Sequence, residues 1–351
     1  MAINELTERK HERVIVAQDR KTGLKTIIGV HDTTLGPSLG GCRVRNYESF
    51  DHALADVLRL SEAMTYKNAL AGLNIGGGKA VIMADRYKLQ VERQAFFESF
   101  GRIVESLSGI YYSAEDMGTS VEDMQSIRRG TKYVVGRDPN EGGSGDPSPY
   151  TAKGLLYGMR ACLEELFGSG DLKGRTIAVQ GAGHVGYPLV LDLVKAGAHV
   201  IVADTNERQV TALKKEVDVE EVSPDEILSV PCDIFAPCAI GGIINPQTVN
   251  RLKCKILAGA ANNQLEGPQT ERMIWSREIL YAPDFAINAG GVISCADELE
   301  SGGFTLSRVM ERVERIYETI KTIFQRAKQS GELPGEIALA MAEERILTAR
   351  T

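Results

Sequence analysis

With 351 residues, the chain is longer than one hydrophobic core usually supports, so two domains are expected. The net charge of −7, without any run of basic residues, disfavours binding to nucleic acid. No stretch of 18 consecutive apolar residues predicts a membrane span, and the polar, charged segment 1–20 does not look like a signal peptide. A cytoplasmic protein without a membrane partner is therefore expected.

The predicted elements of the first half mix strands and helices. In chain order they are a hairpin with strands at 14–17 and 26–30, a breaker-rich loop at 35–41, a helix at 50–66 that ends just before Lys67, a helix at about 91–107, and a strand from 110 that ends in an acidic turn.

Two lysines flank a run of three glycines in this half. Lys67 precedes Gly76-Gly77-Gly78, and Lys79 follows the run directly and opens a strand-like segment. Because glycine takes positive φ angles and allows close approach of another molecule, a turn here is predicted to place Lys79 in a cleft. One lysine can hold a substrate carboxylate, while a second, desolvated beside another cation, can act as a base. A solvent-exposed lysine on an ordinary hairpin turn is the alternative.

Turn-forming residues dominate 137–149, which marks the predicted domain boundary. After it, helical and strand patterns alternate, which predicts a parallel sheet with helices on both faces. In chain order these are a helix at 150–167, strands at 176–180, 199–204, 233–237, 255–260 and 279–282, helices after 183 and at 208–215, and helical segments at 306–328 and 336–350.

The cysteines and histidines form no metal or disulfide pattern. The six cysteines include no CxxC pair and have no nearby histidine, so neither a zinc site nor a disulfide scaffold is expected. Cys232 and Cys238 flank a short strand pattern and are interpreted as small core residues. No metal is therefore predicted.

The run 181–186, Gly-Ala-Gly-His-Val-Gly, is a GxGxxG motif, which becomes specific only through its context. It follows one strand, opens a helix, and precedes a second strand that ends at Asp204, which is the context of a dinucleotide-binding Rossmann fingerprint. The glycines would admit a pyrophosphate to the helix N-terminus, and Asp204 would accept the ribose hydroxyls. A carboxylate there repels a 2′-phosphate, so NAD is predicted over NADP, although the nearby Arg208 leaves some NADP use open. A Rossmann-like fold with another ligand is the alternative.

Eight motifs in register give the chain a resemblance to a known family. They are LGGCR (39–43), MTYKN (64–68), GLNIGGGKAVI (72–82), SAEDMGTS (113–120), GGSGDPSPYTAKG (142–154), VQGAGHVG (179–186), GAANNQLE (259–266) and NAGGVIS (288–294). Together they cover nearly the full length and resemble the amino acid dehydrogenases of the glutamate/leucine/phenylalanine/valine group. Within this group the chain is most similar to the leucine dehydrogenases.

The resemblance implies a role for each matching residue. Lys67 would bind the substrate carboxylate, and Lys79, with Asp116 as its acidic partner, would be the catalytic lysine at the α-amino or imine centre. Further substrate contacts would be Leu39, Gly40, Gly41, Ala114, Asn262, Val292 and Cys295. Cofactor contacts would be Thr151, Gly181, Gly183, His184, Val185, Gly186, Asp204, Cys238, Ala239, Asn262 and Asn288. Alternatively, Asp116 caps a turn and the asparagines only hydrogen-bond within loops.

The preferred amino acid is less sharply indicated. Leu39, Ala114 and Val292 match the side-chain pocket of leucine dehydrogenases, whereas phenylalanine dehydrogenases tend to carry glycine where Ala114 stands. Cys295 stands where a leucine enzyme is expected to have valine, which resembles the phenylalanine branch, as do Met117 and the glycine-rich run 142–145. No basic residue occupies the three pocket positions, so glutamate is disfavoured as substrate.

These observations predict an α/β enzyme of two domains: an N-terminal α/β substrate-binding and catalytic domain at 1–136, and a Rossmann NAD-binding domain at 137–332. A C-terminal helix at 333–351 is expected to pack back on the first domain. The expected reaction is reversible, NAD-dependent oxidative deamination of leucine, valine or isoleucine to the 2-oxo acid and ammonia, by a homo-oligomer, either dimer or octamer. Phenylalanine dehydrogenase activity and a non-catalytic NAD-binding homologue are the alternatives. A P-loop is excluded because GGGK lacks the GxxxxGK spacing.

Overall fold

The structure, a computed structural model, describes residues 10–85 and 92–350 and divides into two units. Unit 1 comprises Met1–Pro147, Val292–Leu306 and Ala342–Thr351, and unit 2 comprises Ser148–Gly291 and Ser307–Met341. The first change of unit thus falls inside the turn-rich stretch 137–149. The start of the polar N-terminal segment and the predicted helix start at position 91 lie outside the described residues.

Unit 1 contains a mixed five-stranded sheet. Its strands are β1 (Arg13–Asp19), β2 (Leu24–Asp32), β3 (Ser38–Arg45), β4 (Gly76–Met83) and β5 (Tyr111–Glu115). Their order is β1-β2-β4-β3-β5. β1 and β2 form the predicted antiparallel hairpin, β2 is antiparallel to β4, and β3 runs parallel to both β4 and β5. Because β3 lies between β4 and β5, its residues stand beside both of these strands.

Three helices cover the two faces of this sheet. They are α1 (Phe50–Leu70), α2 (Arg93–Glu105) and α3 (Val121–Arg128). Successive side chains of β4 point to opposite faces, so Val81 packs with α1 residues such as Val57, whereas Ile82 packs with Phe97 of α2 and Met124 of α3. Burial on both faces fixes the register of β4, and with it the face on which Lys79 lies.

Three local predictions near the lysines are wrong. α1 continues to Leu70, so Lys67 lies in its last turn and not after it. The predicted loop at 35–41 contains the start of β3, and the three glycines form the extended start of β4 and not a turn with positive φ. The reason is close packing: a Cβ on Gly77 would lie 2.1 Å from the backbone nitrogen of Thr65 on α1.

Unit 2 contains a six-stranded, all-parallel sheet. Its strands are β6 (Thr176–Gln180), β7 (His199–Ala203), β8 (Glu220–Glu221), β9 (Cys232–Pro237), β10 (Cys254–Leu257) and β11 (Leu280–Tyr281). The order β11-β10-β9-β6-β7-β8 is that of a Rossmann fold, in which β7 and β8 lie on one side of β6, and β9, β10 and β11 lie on the other. Together with unit 1, this sheet confirms the predicted two-domain α/β architecture.

The remaining helices follow in chain order. They are α4 (Ser148–Phe167), α5 (Gly186–Lys195), α6 (Glu207–Glu216), α7 (Pro268–Ser276), α8 (Asp284–Ile287), α9 (Gly290–Asp297), α10 (Leu306–Glu314), α11 (Ile316–Ser330) and α12 (Pro334–Arg350). The C-terminal region is helical, as predicted, although 306–328 forms two helices and not one. Within residues 10–85 and 92–350, no helix is both long and apolar enough to cross a membrane.

Candidate active site

A buried ion pair between Lys79 and Asp116 is the central feature of the candidate site in unit 1. Lys79 lies on β4, Asp116 follows β5, and the Lys79 Nζ lies 3.0 Å from Asp116 Oδ1. The two side chains are only 6% and 16% exposed. Burial lowers the pKa of Lys79 below its ordinary value, a trend that the negative charge of Asp116 opposes. A lysine so placed can exchange a proton more readily than a solvent-exposed one.

Arg43 binds the other side of the Asp116 carboxylate. Its Nε donates to Asp116 Oδ2 at 2.8 Å, and its Nη1 lies 3.2 Å from Asp56 Oδ2. Burial alone would raise the pKa of Asp116, but the positive charges of Lys79 and Arg43 outweigh burial and hold this pKa well below its usual range. Sequence reasoning did not assign Arg43 a role. The available signal was its spacing, because Arg43 stands two residues after Gly41 and shares its strand face.

Gly41 allows Asp116 to approach β3 closely. A Cβ on Gly41 would lie 2.6 Å from Asp116 Cβ and 2.6 Å from the Glu115 carbonyl oxygen. On the other side, the Asp116 backbone N–H donates to Thr119 Oγ1 at 2.9 Å. Gly40 is equally confined, since a Cβ added to it would lie 1.7 Å from the Gly78 carbonyl oxygen of β4. Both glycines are therefore required by the packing of the strands around the ion pair.

Lys67 lies half-buried in the last turn of α1. The next residue, Asn68, donates its Nδ2 to the Gly76 carbonyl oxygen at 2.7 Å and so ties this turn to the start of β4. Arg345 of α12 donates to the carbonyl oxygens of Ala69 and Leu73 at 3.0 and 2.7 Å. The two lysines that flank the glycines in sequence thus stand on two secondary-structure elements that are packed and hydrogen-bonded together.

The predicted side-chain pocket residues all belong to unit 1. Leu39, fully buried on β3, pairs with strand residues of both β4 and β5, and Ala114 pairs with Gly41. Val292 is half-buried and Cys295 is 4% exposed, and both lie on α9. Burial raises the pKa of the Cys295 thiol to about 12, so it presents a small neutral surface. That these four residues line one pocket stays a prediction.

The glycine-rich loop of unit 2 fits a bound pyrophosphate. A Cβ on Gly186 would lie 1.9 Å from the Gly181 carbonyl oxygen, so glycine at 186 is required by close packing of the start of α5 against the loop that follows β6. Gly183 differs, because a Cβ there would meet no described atom within 4 Å. The chain itself therefore leaves space in front of Gly183, as close approach of a phosphate requires. His184 and Val185 complete the loop before α5, with His184 exposed.

Asp204 stands at the carboxyl end of β7, held by two backbone donors. Ala182 N–H donates to its Oδ2 at 2.6 Å and Asn206 N–H donates to its Oδ1 at 2.7 Å. Each carboxylate oxygen keeps a second acceptor position, because a carboxylate offers about four in all. The acidic residue expected at the ribose position is thereby fixed against the glycine-rich loop.

The other predicted cofactor contacts gather at the same edge of the unit 2 sheet. Asn288 donates its Nδ2 to Asn262 Oδ1 at 2.9 Å, and a Cβ on Gly290 would lie 3.0 Å from Thr151 Cα. Cys238 and Ala239 follow β9, and the Ala239 Cβ lies 2.9 Å from an ideal Cβ on Gly181. Cys238 is half-buried and not fully buried as a core residue would be. The structure thus brings these residues together, whereas their contact with a cofactor stays a prediction.

A Rossmann sheet with this loop, joined to a second α/β unit that buries a lysine–aspartate pair, defines a two-domain oxidoreductase. Comparison with protein families specifies it further. Residues 11–133 match the Glu/Leu/Phe/Val dehydrogenase dimerisation domain, and residues 202–351 match the glutamate/leucine/phenylalanine/valine dehydrogenase family. The chain therefore belongs to this family, and it is an amino acid dehydrogenase.

Individual relatives agree with this assignment. Leucine dehydrogenase of Thermoactinomyces intermedius is 50% identical over 96% of this chain and 91% of its own length. Valine dehydrogenase of Streptomyces virginiae is 45% identical over 97% of this chain and 95% of its own length. The crystal structure of L-tryptophan dehydrogenase from Nostoc punctiforme matches with a TM-score of 0.83 and 37% identity, covering 100% of both chains. The predicted resemblance to this family is confirmed.

Proposed function

We propose that this amino acid dehydrogenase catalyses the NAD-dependent, reversible oxidative deamination of leucine, valine or isoleucine to the 2-oxo acid and ammonia. The observation that carries the proposal is the buried Lys79–Asp116 pair, because a desolvated lysine beside a carboxylate supplies the proton transfers of this reaction without a metal. The similarity to proteins named leucine and valine dehydrogenase supports the choice of a branched-chain substrate.

The lysines divide the work on the substrate. Lys67 binds the substrate carboxylate by charge and so orients the Cα atom. When bound, NAD supplies the acceptor for the hydride that leaves Cα. Lys79 in its neutral form takes a proton from the water that attacks the imine carbon, and later returns it to the departing nitrogen. As the C–N bond breaks and the C=O bond forms, the neutral Lys79 accepts the proton of the carbinol hydroxyl. Asp116 stabilises the ammonium form of Lys79 whenever Lys79 holds a proton.

The residues of unit 2 that would hold NAD belong to the loop at 181–186 and to the end of β7. The N-terminus of α5 stabilises the pyrophosphate charge, and Asp204 accepts hydrogen bonds from the ribose hydroxyls. The carboxylate repels a 2′-phosphate, so NAD is preferred over NADP. Thr151, Asn262 and Asn288 are assigned to the nicotinamide end.

Phenylalanine is the second candidate substrate, favoured by Cys295. This buried residue is smaller than the valine expected in a leucine enzyme and leaves more room. Ala114 favours the branched-chain substrates, because its methyl group narrows the position at which phenylalanine enzymes tend to have glycine. The discrimination is modest, since one methylene is worth about 1–3 kcal/mol in a pocket.

The proposal also covers assembly and the division of the chain. We assign substrate binding and catalysis to 1–136, NAD binding to 137–332, and to 333–351 a helix that packs back on the first domain. Within the second range, Val292–Leu306 belongs to unit 1 and carries the substrate-pocket candidates Val292 and Cys295. A homo-oligomer, dimer or octamer, is supported by the match of 11–133 to a family described as a dimerisation domain. The cytoplasmic location predicted from the sequence belongs to the same proposal.

Replacement of each lysine tests the mechanism. Lys79→Ala should lower kcat by about 10²–10⁴-fold, the usual contribution of general acid–base catalysis, while NAD affinity measured by fluorescence stays near wild type. Lys67→Ala should raise KM more than it lowers kcat, because both substrate and transition state carry the carboxylate. A panel of L-amino acids with NAD and NADP, scored by kcat/KM, identifies the substrate. Near-normal kcat in Lys79→Ala would contradict its assignment as the base.

A further inference from the structure

Lys79 and Asp116 are one half of a larger buried charge network. Arg43 links Asp116 to Asp56 of α1, with Nε–Oδ2 and Nη1–Oδ2 distances of 2.8 and 3.2 Å. The Arg43 and Asp56 side chains are each 11% exposed. Tyr47 donates its hydroxyl to Asp56 Oδ2 at 2.7 Å and so helps to fix this end of the network. With Lys79 protonated, the two buried cations and the two buried carboxylates have no net charge, and the half-exposed Arg59 also binds Asp56, at 2.8 Å from its Oδ1.

The two cations bound to Asp116 differ in one essential respect. Lys79 can lose its proton, and it must do so to act as a base. Arg43 cannot, because a guanidinium stays protonated in proteins. Each cation binds its own carboxylate oxygen: Lys79 contacts Oδ1 and Arg43 contacts Oδ2. When Lys79 becomes neutral, Asp116 therefore still has a charged partner, and an unpaired buried carboxylate does not form.

We propose that Arg43 is a positioning residue that keeps Asp116 ionised and in place while Lys79 gives up and regains its proton. The inference rests on the proposed function, since it takes Lys79 as the base. Arg43 suits this task because its planar guanidinium reaches two carboxylates at once, and Asp56 prevents it from moving toward Asp116 alone. Gly41, which stands between Leu39 and Arg43 on the same strand face, has no side chain. Asp116 occupies the space that a side chain at Gly41 would fill, and there it meets Arg43.

The network predicts opposite effects for its two charges on the pKa of Lys79. The positive charge of Arg43 lowers this pKa and the negative charge of Asp116 raises it. Loss of Arg43 should therefore move the acid limb of the kcat/KM profile to higher pH, whereas loss of the Asp116 charge should move it to lower pH. A residue that only supports the fold would lower activity without such a pair of opposite shifts.

Several other titratable or charged groups surround the network. They are Cys42 and Tyr111, whose pKa values burial raises, Glu115, whose pKa burial raises to about 7, and Arg59 of α1, whose Nη2 lies 2.8 Å from Asp56 Oδ1. Of these, Glu115 titrates within the range of the assay. All pH profiles are therefore also measured in a Glu115→Gln background. If the acid limb of the kcat/KM profile is caused by Glu115, it disappears in that background.

The test is the pH dependence of kcat/KM for L-leucine with NAD, measured on the full-length enzyme, wild type and variants. Arg43→Gln should shift the acid limb upward and Asp116→Asn should shift it downward, each by about 1–2 pH units. Arg43→Lys keeps the positive charge but loses the planar guanidinium that reaches two carboxylates. The acid limb of its kcat/KM profile should therefore stay within about half a pH unit of wild type, while kcat falls roughly tenfold.

Arg93→Gln is the matched control, because Arg93 also binds a buried carboxylate, Asp123, with two nitrogens at 2.7 and 2.6 Å. It should lower thermal stability without moving the limb.

The outcomes separate the two proposals. If Asp116→Asn shifts the limb downward but Arg43→Gln leaves it in place, the role of Arg43 is refuted and Lys79 remains the base. If neither variant moves the limb, Lys79 is not the titrating base and both proposals fail. If Arg43→Gln does not fold, Arg43→Lys decides the question, because wild-type kcat in that variant would show that the bridge between the two carboxylates is not needed.

Discussion

Substitution of Gly41 by alanine should disturb the catalytic pair without removing any charge. The added Cβ would lie 2.6 Å from Asp116 Cβ and 2.6 Å from the Glu115 carbonyl oxygen. Ordinary contact begins at about 3.4 Å, so Asp116 must move by roughly 0.8 Å or β3 must shift by a similar amount. A displacement of about 1 Å in a catalytic group costs on the order of 10²-fold in rate. We therefore expect kcat of Gly41→Ala to fall by about that factor.

The assay compares kcat, KM and thermal unfolding for Gly41→Ala with the same measurements for Gly267→Ala. Gly267 has extended backbone with φ of 176°, and a Cβ there meets no atom of the described residues within 4 Å, so its substitution should be tolerated. Overpacking at Gly41 should also cost about 1–3 kcal/mol of stability. A Gly41→Ala enzyme with kcat within threefold of wild type and unchanged thermal unfolding would show that Asp116 is not confined as described.

Three further predictions concern specificity and stability. Asp204→Asn should raise the kcat/KM ratio of NADP to NAD, since it removes the charge that repels a 2′-phosphate; an unchanged ratio would place the discrimination elsewhere. Ala114→Gly should shift kcat/KM toward phenylalanine relative to leucine, and a shift the other way would remove Ala114 from the pocket. Burial raises the pKa of Glu271 to about 7 from an ordinary 4.5, so its stabilising contribution is complete below pH 4.5 and is lost as the pH rises through 7. Glu271→Gln should therefore gain stability relative to wild type between pH 5 and 8, by up to about 3 kcal/mol in thermal-unfolding measurements.

The Rossmann half of the fold could be predicted closely because its signals are local. The predicted strand at 176–180 has the same bounds as β6, and the predicted strand at 199–204 differs from β7 by one residue. Buried parallel strands form short apolar runs, and the helices between them separate those runs clearly. The two-residue strand β8 offers too few residues for a pattern and was not predicted, whereas the equally short β11 lies within the predicted strand at 279–282.

The errors in unit 1 share one physical cause. Gly40 and the glycines at 76–78 look like turn residues in sequence, yet they lie in strands where neighbouring atoms leave no room for a Cβ. These atoms are backbone at Gly40, Gly76 and Gly77, and the side chains of Ser38 and Tyr111 at Gly78. Such close approach depends on tertiary packing and has no local signature. Arg43 was missed for a related reason. Its importance depends on Asp56 and Asp116, which are distant in sequence and meet only when α1 and β5 pack around β3.

The surroundings of the two lysines give a physical reason for their different roles. Lys67 lies in the last turn of α1, where the partial negative charge of the helix C-terminus favours a cation, and it is only half-buried. A lysine in such surroundings suits a carboxylate ligand. Lys79 is 6% exposed and sits beside Arg43 as well as Asp116, so burial and a like charge both favour its neutral form. The same residue type can therefore serve as a fixed charge at one end of the glycine run and as a proton carrier at the other.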